Sequence, residues 1–460
     1  MTVQTLADTA PARPDRTLFG HPSGLYLLFA TEMWERFSYY GMRALLVLTL
    51  VAGTESANPG FGWTNGQALS LYGLYTALTY FTPLIGGWLA DNFLGQRRSV
   101  IIGGIVMAAG QFTLAASVPG NLALFYLGLG LLILGNGFFK ANISTMVGEL
   151  YAEGDARRDG AFSIFYMGIN AGAFLAPLVC STLGESDSWG WRYGYFAAGC
   201  GMALSVLIQL VLARAFLGEI GIQPSARRAL AQTHGKHEPL TKVEWDRLRV
   251  IFVLFVFVVL FWTAFEQAGG LMNLYAEEKT DRFVTATYEM PAGYFQAANP
   301  AFIIILAPVF AALWSSLGRR GRNPATPTKM ILGLLLTACG FLFMVGAALD
   351  QQAHGKASMS WLVLAYLLHT MGELCISPVG LSVVTKLSPL RLASVMMGVW
   401  FLINFVANYL AGQVGKQAES LGDLTVFGGI AVVLTVFALI LWTLSGRLVT
   451  WMHGAEAIKA

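Results

Sequence analysis

Glu32-Met33-Trp34-Glu35-Arg36-Phe37-Ser38-Tyr39-Tyr40-Gly41-Met42-Arg43 places four charges inside an otherwise apolar run that extends from about residue 23 to residue 51. Roughly 20 apolar residues cross a bilayer as a helix. A charged side chain facing lipid at the centre of that helix costs about 2.5 to 3.5 kcal/mol. Four such charges turned toward lipid would forbid insertion, so they must face one another or water. At about 100° per residue, Glu32, Glu35, Arg36, Tyr39 and Arg43 fall in one stripe roughly 100° wide. With about 1.5 Å of rise per residue the stripe is roughly 16 Å long, enough for both a proton site and a substrate contact. The stretch reads as a membrane helix whose charged face lines a cavity.

The rest of the chain fits that helix. Of its 460 residues 55% are hydrophobic and 12% charged, against about 45 to 50% and 25% in soluble domains. Apolar runs lie near 23–51, 65–91, 99–118, 121–149, 160–183 and 194–217, and again near 249–273, 294–316, 328–349, 359–386, 391–416 and 425–451. Twelve spans in two groups of six follow. Residues 1–22 are polar and hold Pro11, Pro14 and Pro22, so the first apolar run is expected to be a retained helix rather than a cleaved leader. The polar stretch from Gly218 to Arg247 carries Arg227, Arg228, His234, Lys236, His237, Glu244 and Asp246 and is too short for two further spans. It divides the chain into an N-terminal six-helix bundle over 1–217, a cytoplasmic linker over 218–248 and a C-terminal six-helix bundle over 249–460. Leu94-Gly95-Gln96-Arg97-Arg98 and Leu317-Gly318-Arg319-Arg320 follow the second span of each group, an internal echo of two related halves. The expected fold is an all-α membrane protein of the major facilitator type, two parallel halves with a site between them.

Of the 29 Lys and Arg residues, 21 fall in the loops, termini and span ends on one side of this topology, five on the other and three well inside spans. Positive loops remain in the cytoplasm. Both termini are therefore expected there, in a multi-pass protein of the cytoplasmic membrane surrounded by lipid. A net charge of +3 is too small to point to nucleic acid. Cys180, Cys200, Cys339 and Cys375 are far apart in apolar runs and read as small core residues, not metal ligands or disulfides. There is no G-x-x-x-x-G-K-[ST] loop and no H-E-x-x-H helix, so neither nucleotide hydrolysis nor metal hydrolysis is suggested. No nucleophile with a base stands in the spans, and an enzyme is not expected. The glycines between Gly128 and Gly137 read as close helix packing.

Once the charges of the loops and span ends are removed, seven charged residues remain inside spans: Glu32, Glu35, Arg36, Arg43, Lys140, Glu266 and Glu373. Intramembrane charges mark functional sites. Four carboxylates against three cations leave one negative charge over, and that excess carboxylate is a proton-binding group. Arg43 and Lys140 suit a carboxylate, and Glu373 an ammonium. The matching ligand is zwitterionic, although a carrier of a small anion would need the two cations without Glu373. Tyr39, Tyr40, Tyr80, Tyr166, Trp262 and Trp400 either contact such a ligand or pack between helices. His369, one turn before Glu373, either tunes that acid or packs.

With these residues in place, the sequence resembles the proton-dependent oligopeptide transporter family, the peptide branch of the major facilitators, over essentially its whole length. Glu32 to Tyr40 resemble the family's E-x-x-E-R-F-x-Y-Y signature. Gly86-Gly87-Trp88-Leu89-Ala90-Asp91 with Gly95 to Arg98, Phe162 to Asn170, and Gly372 to Gly380 add to the likeness. The resemblance implies symport of di- and tripeptides with protons by alternating access, driven by the proton gradient without a cofactor, in a chain that acts as a monomer. It implies a proton-linked cluster of Glu32, Glu35 and Arg36 with Lys140, and a pair of Arg43 with Glu266 in the empty state. It further implies that a peptide's carboxylate meets Arg43 and Lys140 and its amino terminus Glu373, Asn170 and Asn299. Tyr39, Tyr40, Tyr80, Trp262, Ser377 and Trp400 would then shape the side-chain pockets. The chain departs from many relatives at Ala141, where they have proline after the lysine, and in lacking two extra helices between the halves. It also lacks a histidine on the second span and a large domain between spans nine and ten.

Overall fold

The computed structural model describes residues 17–152, 154–224, 240–389 and 392–454. Among them the long helices are α1 (Gly24–Val51), α2 (Asn65–Leu89), α3 (Gln96–Ser117), α4 (Leu122–Glu149), α5 (Arg157–Gly184) and α6 (Trp191–Leu217). After residues 225–239, which lie outside the described part, come α7 (Lys242–Phe265), α8 (Leu271–Lys279), α9 (Ala298–Arg319), α10 (Thr326–His354), α11 (Met359–Leu387) and α12 (Ala393–Lys416). The one-turn helix α13 (Ala418–Leu421) and the long α14 (Asp423–Trp451) complete the order. Ten of the described segments are long and apolar enough to cross a membrane. The first helix is not among them because Glu32, Glu35, Arg36 and Arg43 interrupt it. The stripe that marks it as functional is what disqualifies it as an ordinary span.

Two boundaries depart from the sequence reading. Helix α7 begins at Lys242, inside the stretch assigned to the linker. Thr241 and Glu244 form a reciprocal capping box there, Thr241 Oγ1 accepting from the Glu244 amide at 3.2 Å and Glu244 Oε2 from the Thr241 amide at 2.8 Å. The run read as one span to residue 273 instead breaks into a 3-10 turn over Glu266–Gly269 before α8 resumes. The break ends at the adjacent Gly269 and Gly270, each of which weakens a helix by about 1 kcal/mol relative to Ala, and Gly270 takes the non-helical φ −111°, ψ −98°.

The chain forms two compact units. The first comprises the described residues up to Met42 together with Phe81–Cys180 and the α6 region from Arg192. In it α3 and α4 lie against each other through glycines. A Cβ on Gly135 would sit 2.6 Å from the Gly103 carbonyl, and one on Gly110 3.0 Å from that of Gly128. Gly137 is equally close to Thr82 of α2, whereas Gly130 faces open space. Packing is thus the role of most of that glycine run. Helix α1 is held by polar contacts beside its charged stripe. Gln111 of α3 donates to Ser38 Oγ at 3.0 Å, Ser205 of α6 donates to the Thr31 carbonyl at 2.7 Å, and Gln209 donates to Thr31 Oγ1 at 3.0 Å. Helix α5 crosses α1 at Gly172, where a Cβ would lie 2.1 Å from the Met33 carbonyl and 3.0 Å from Arg36 Cβ.

The second unit comprises Arg43–Tyr80, Ser181–Trp191 and the described residues from 240 onward. It joins the distal ends of α1, α2 and α5 to α7–α14. Gly73 of α2 and Gly412 of α12 meet backbone to backbone, a Cβ on either falling 2.6 Å from the other's Cα. Helices α10 and α11 approach through Gly333, Gly340 and Gly372. Between α8 and α9 the short strands Phe283–Thr285 and Tyr288–Glu289 form an antiparallel hairpin, and Thr280–Asp281 pairs in parallel with Ala357–Ser358.

Candidate functional site

In the first unit the α1 stripe is a closed ionic cluster. Glu32, Glu35 and Arg36 are all buried, Glu35 completely. Arg36 donates through Nη2 to Glu35 Oε1 at 2.8 Å and through Nε to Glu35 Oε2, and the same Nε lies 3.1 Å from Glu32 Oε1. One guanidinium therefore serves two carboxylates. The second oxygen of Glu32 has no hydrogen-bond partner among the described residues. Lys140, half-buried on an α4 that runs unbroken past Ala141, acts electrostatically on Glu32. Tyr39 stacks its ring under Arg36, 5.2 Å from Cζ, and meets Tyr40 edge to face. Asn170 is buried on α5 and donates to the Tyr166 carbonyl at 2.9 Å. Tyr166 itself is exposed.

In the second unit Arg43 pairs with Glu266, Nη2 to Oε2 at 2.9 Å, both side chains buried. Arg43 Nε also donates to Tyr72 Oη at 2.9 Å, and its guanidinium lies over the Tyr72 ring. A Cβ on Gly269 would stand 2.2 Å from Tyr72 Oη and 2.3 Å from Arg43 Nε, so only glycine lets the 3-10 turn bring Glu266 this close. Glu373, buried on α11, accepts from Asn299 Nδ2 at 2.9 Å; the same amide contacts Thr370 Oγ1 at 3.0 Å. Trp262 lies half-buried in an aromatic group with Phe261 and Phe265. Trp400 lies against Phe255, and Tyr80 and Ser377 are half-buried on α2 and α11.

Tyr72 and Thr370 are additions that sequence reasoning did not reach. Nothing in spacing separates Tyr72 from Tyr75 or Tyr80 on the same helix. His369 packs 4.6 Å from the Phe341 ring. All four cysteines are free, but only Cys180 and Cys375 are buried; Cys200 and Cys339 are exposed, which corrects their reading as core residues. A transmembrane helix is apolar on its lipid face as well as its packed face, so an apolar run does not mark burial. Among the described residues no group of His, Cys, Asp and Glu could hold a metal ion.

This combination of an E-x-x-E-R cluster, a buried Arg–Glu pair and a separate buried carboxyl with an amide partner is accompanied by a match to the sequence profile of the POT family over residues 97–234 and 231–425. The chain belongs to the POT family. It is 37% identical to peptide transporter YePEPT of Yersinia enterocolitica over 93% of this chain and 94% of that protein. To a di-/tripeptide transporter of Lactococcus lactis it is 35% identical, over 93% and 96%. Among solved structures it resembles a peptide transporter POT in complex with sulfate, with a TM-score of 0.87, 35% identity and coverage of 98% and 99%. A POT family transporter in complex with 5-aminolevulinic acid superposes with a TM-score of 0.86 at 29% identity, covering 95% and 99%. The family is one of membrane transporters rather than enzymes.

Proposed function

We propose that this POT family member imports di- and tripeptides together with protons across the cytoplasmic membrane by alternating access. In this proposal the protein is a monomeric twelve-helix major facilitator with bundles over 1–217 and 249–460, a linker over 218–248 and both termini cytoplasmic. The observation that carries it is the α1 cluster, where Arg36 is shared between Glu35 and a Glu32 whose second oxygen is unbonded. When both acids are ionised, Glu32 and Glu35 balance Arg36 and Lys140. A proton on Glu32 upsets that balance, which couples proton entry to rearrangement of the ion pairs. In the proposed roles Arg43 and Lys140 receive the peptide carboxylate, and Glu373 with Asn299 and Asn170 receives its amino terminus. Glu266 takes Arg43 back when the site is empty. Tyr39, Tyr40, Tyr80, Trp262, Ser377 and Trp400 supply surfaces that tolerate varied side chains.

Uptake of labelled dialanine into proteoliposomes is expected to follow an inward proton gradient, to stop with a proton ionophore and to be inhibited by excess tripeptide. Well-folded protein that takes up nothing under these conditions overturns the substrate assignment. Within the same assay Glu373→Gln is expected to raise KM for dialanine by roughly 10- to 100-fold, since a hydrogen bond to a charged group contributes about 1.5 to 3 kcal/mol. The effect should be far smaller for N-acetylated dialanine, which has no ammonium. Equal effects on both substrates would remove Glu373 from amino-terminus recognition.

A further inference from the structure

Thr370 is completely buried on α11, and its hydroxyl dictates how the amide beside it must lie. Thr370 Oγ1 donates to the Tyr366 carbonyl, one turn earlier, at 2.7 Å. A hydroxyl has one hydrogen to give and two lone pairs to receive with. With that hydrogen spent, Thr370 can only accept from Asn299 in the first turn of α9, 3.0 Å away. Asn299 therefore presents its nitrogen to Thr370, and the same nitrogen donates its second hydrogen to Glu373 Oε2 at 2.9 Å. Turned over, the amide would set its oxygen against an oxygen with no hydrogen left to share.

Tyr366, Thr370 and Glu373 are spaced i, i+4, i+7 and share one face of α11. Tyr366 is buried and itself held. Its hydroxyl donates at 3.1 Å to the carbonyl of Ala268, in the 3-10 turn where α7 breaks and the helical ladder is interrupted. Every hydrogen from Tyr366 through Thr370 to Asn299 thus has a named acceptor. The two end groups are different. Among the described residues neither Glu373 Oε1 nor Asn299 Oδ1 has a hydrogen-bond partner, and neither side chain is fully enclosed, Glu373 being 7% exposed and Asn299 half-buried. Each of these oxygens is one carbon removed from an atom of the 2.9 Å bond that joins the two side chains. Together they offer two acceptors and no donor.

We propose that Thr370 is a positioning residue for the amino-terminus subsite: by accepting from Asn299 it turns Asn299 Oδ1, beside Glu373 Oε1, toward a substrate nitrogen that must bring two N–H donors. This rests on the transport reading given above and narrows its substrate class. A primary ammonium carries three N–H donors and a secondary one carries two, so both satisfy the pair. Peptides that begin with an N-methyl residue or with proline are therefore accepted along with those that have a free primary amine. A tertiary ammonium has one N–H and leaves one acceptor unpaired in a largely buried site, which is costly. Groups that only accept, such as an acyl carbonyl, meet oxygen lone pairs from both sides.

The test ranks dialanine, N-methyl-dialanine and N,N-dimethyl-dialanine twice, by KM for uptake into proteoliposomes and by dissociation constant on the purified protein. In the wild type the first methyl is expected to weaken binding by less than about 3-fold and the second by roughly a further 10-fold, the cost of one unpaired acceptor. Thr370→Val removes the acceptor and leaves the Asn299 amide free to turn. It is expected to weaken dialanine and the monomethyl compound by roughly 3- to 10-fold, the loss of one neutral hydrogen bond, with the maximal rate unchanged. The dimethyl compound, which needs Glu373 alone, should bind as before. Thr370→Ser returns a hydroxyl to the same place and is expected to restore the wild-type order. A folding defect would move all three compounds together, so the differential loss separates positioning from structure. Equal losses on the three compounds in Thr370→Val, or a wild type that rejects the first methyl as strongly as the second, overturns the assignment. Wild-type protein that binds the compounds in the expected order but takes up none of them overturns the transport reading and supports the role of Thr370.

Discussion

Replacing Glu35 by Gln is expected to abolish uptake driven by a proton gradient while leaving exchange of labelled for unlabelled peptide in place. Glu35 is fully buried and accepts two bonds from Arg36. With Gln at this position the group of Glu32, Arg36 and Lys140 carries one net positive charge even when Glu32 is ionised. A proton on Glu32 would raise the buried charge to two. Glu32 also becomes the sole carboxylate partner of Arg36, at 3.1 Å. Breaking a buried pair costs about 3 to 5 kcal/mol, which sets the expected loss of gradient-driven uptake at 100-fold or more. The ratio of driven uptake to exchange, measured on one preparation, separates this from misfolding. A Glu35→Gln variant that still accumulates dialanine in proportion to the imposed pH step would place the coupling proton elsewhere.

The cluster is legible in the sequence because α1 obeys the 3.6-residue period and its charges cannot face lipid. Glu266 and Glu373 are legible in the same way, as charges that cannot face lipid, but their geometry is not. Glu266 reaches Arg43 only because the helix breaks at Gly269, whose missing side chain leaves room for Tyr72 and the guanidinium. The glycine pair was visible in the sequence; which helix it would meet was not. Thr241 and Glu244 carry the T-x-x-E spacing of a capping box, which places the start of α7 inside the polar stretch. Glu185, which accepts from the Ala292 and Gly293 amides, and Glu419, which accepts from the Gly66 amide, are illegible for a different reason. They lie in short connections where acids are common, and their partners are backbone amides, which every residue but proline carries. Cys200 and Cys339 show the converse limit: in lipid, apolar neighbours do not mean a buried site.

Arg43→Ala is expected to be the most destabilising single change among the charged residues, by about 3 to 5 kcal/mol, because it leaves Glu266 buried without its counter-charge. It also removes the donor to Tyr72 and the cation over that ring. Thermal unfolding in detergent should show the loss directly. Glu266→Gln in the same chain removes the stranded charge, so the double variant is expected to regain much of the stability, a coupling that a double-mutant cycle isolates. Transport should behave otherwise. If Arg43 receives the peptide carboxylate, neither Arg43→Ala nor the double variant transports, and Arg43→Lys recovers only part of the affinity because a point charge cannot replace the planar fork. Stability and transport therefore separate in the double variant alone. A double variant as unstable as Arg43→Ala would place the stabilising contact at Tyr72 instead of Glu266. One that transports normally would reduce Arg43 to a structural partner and leave Lys140 as the cation for the substrate.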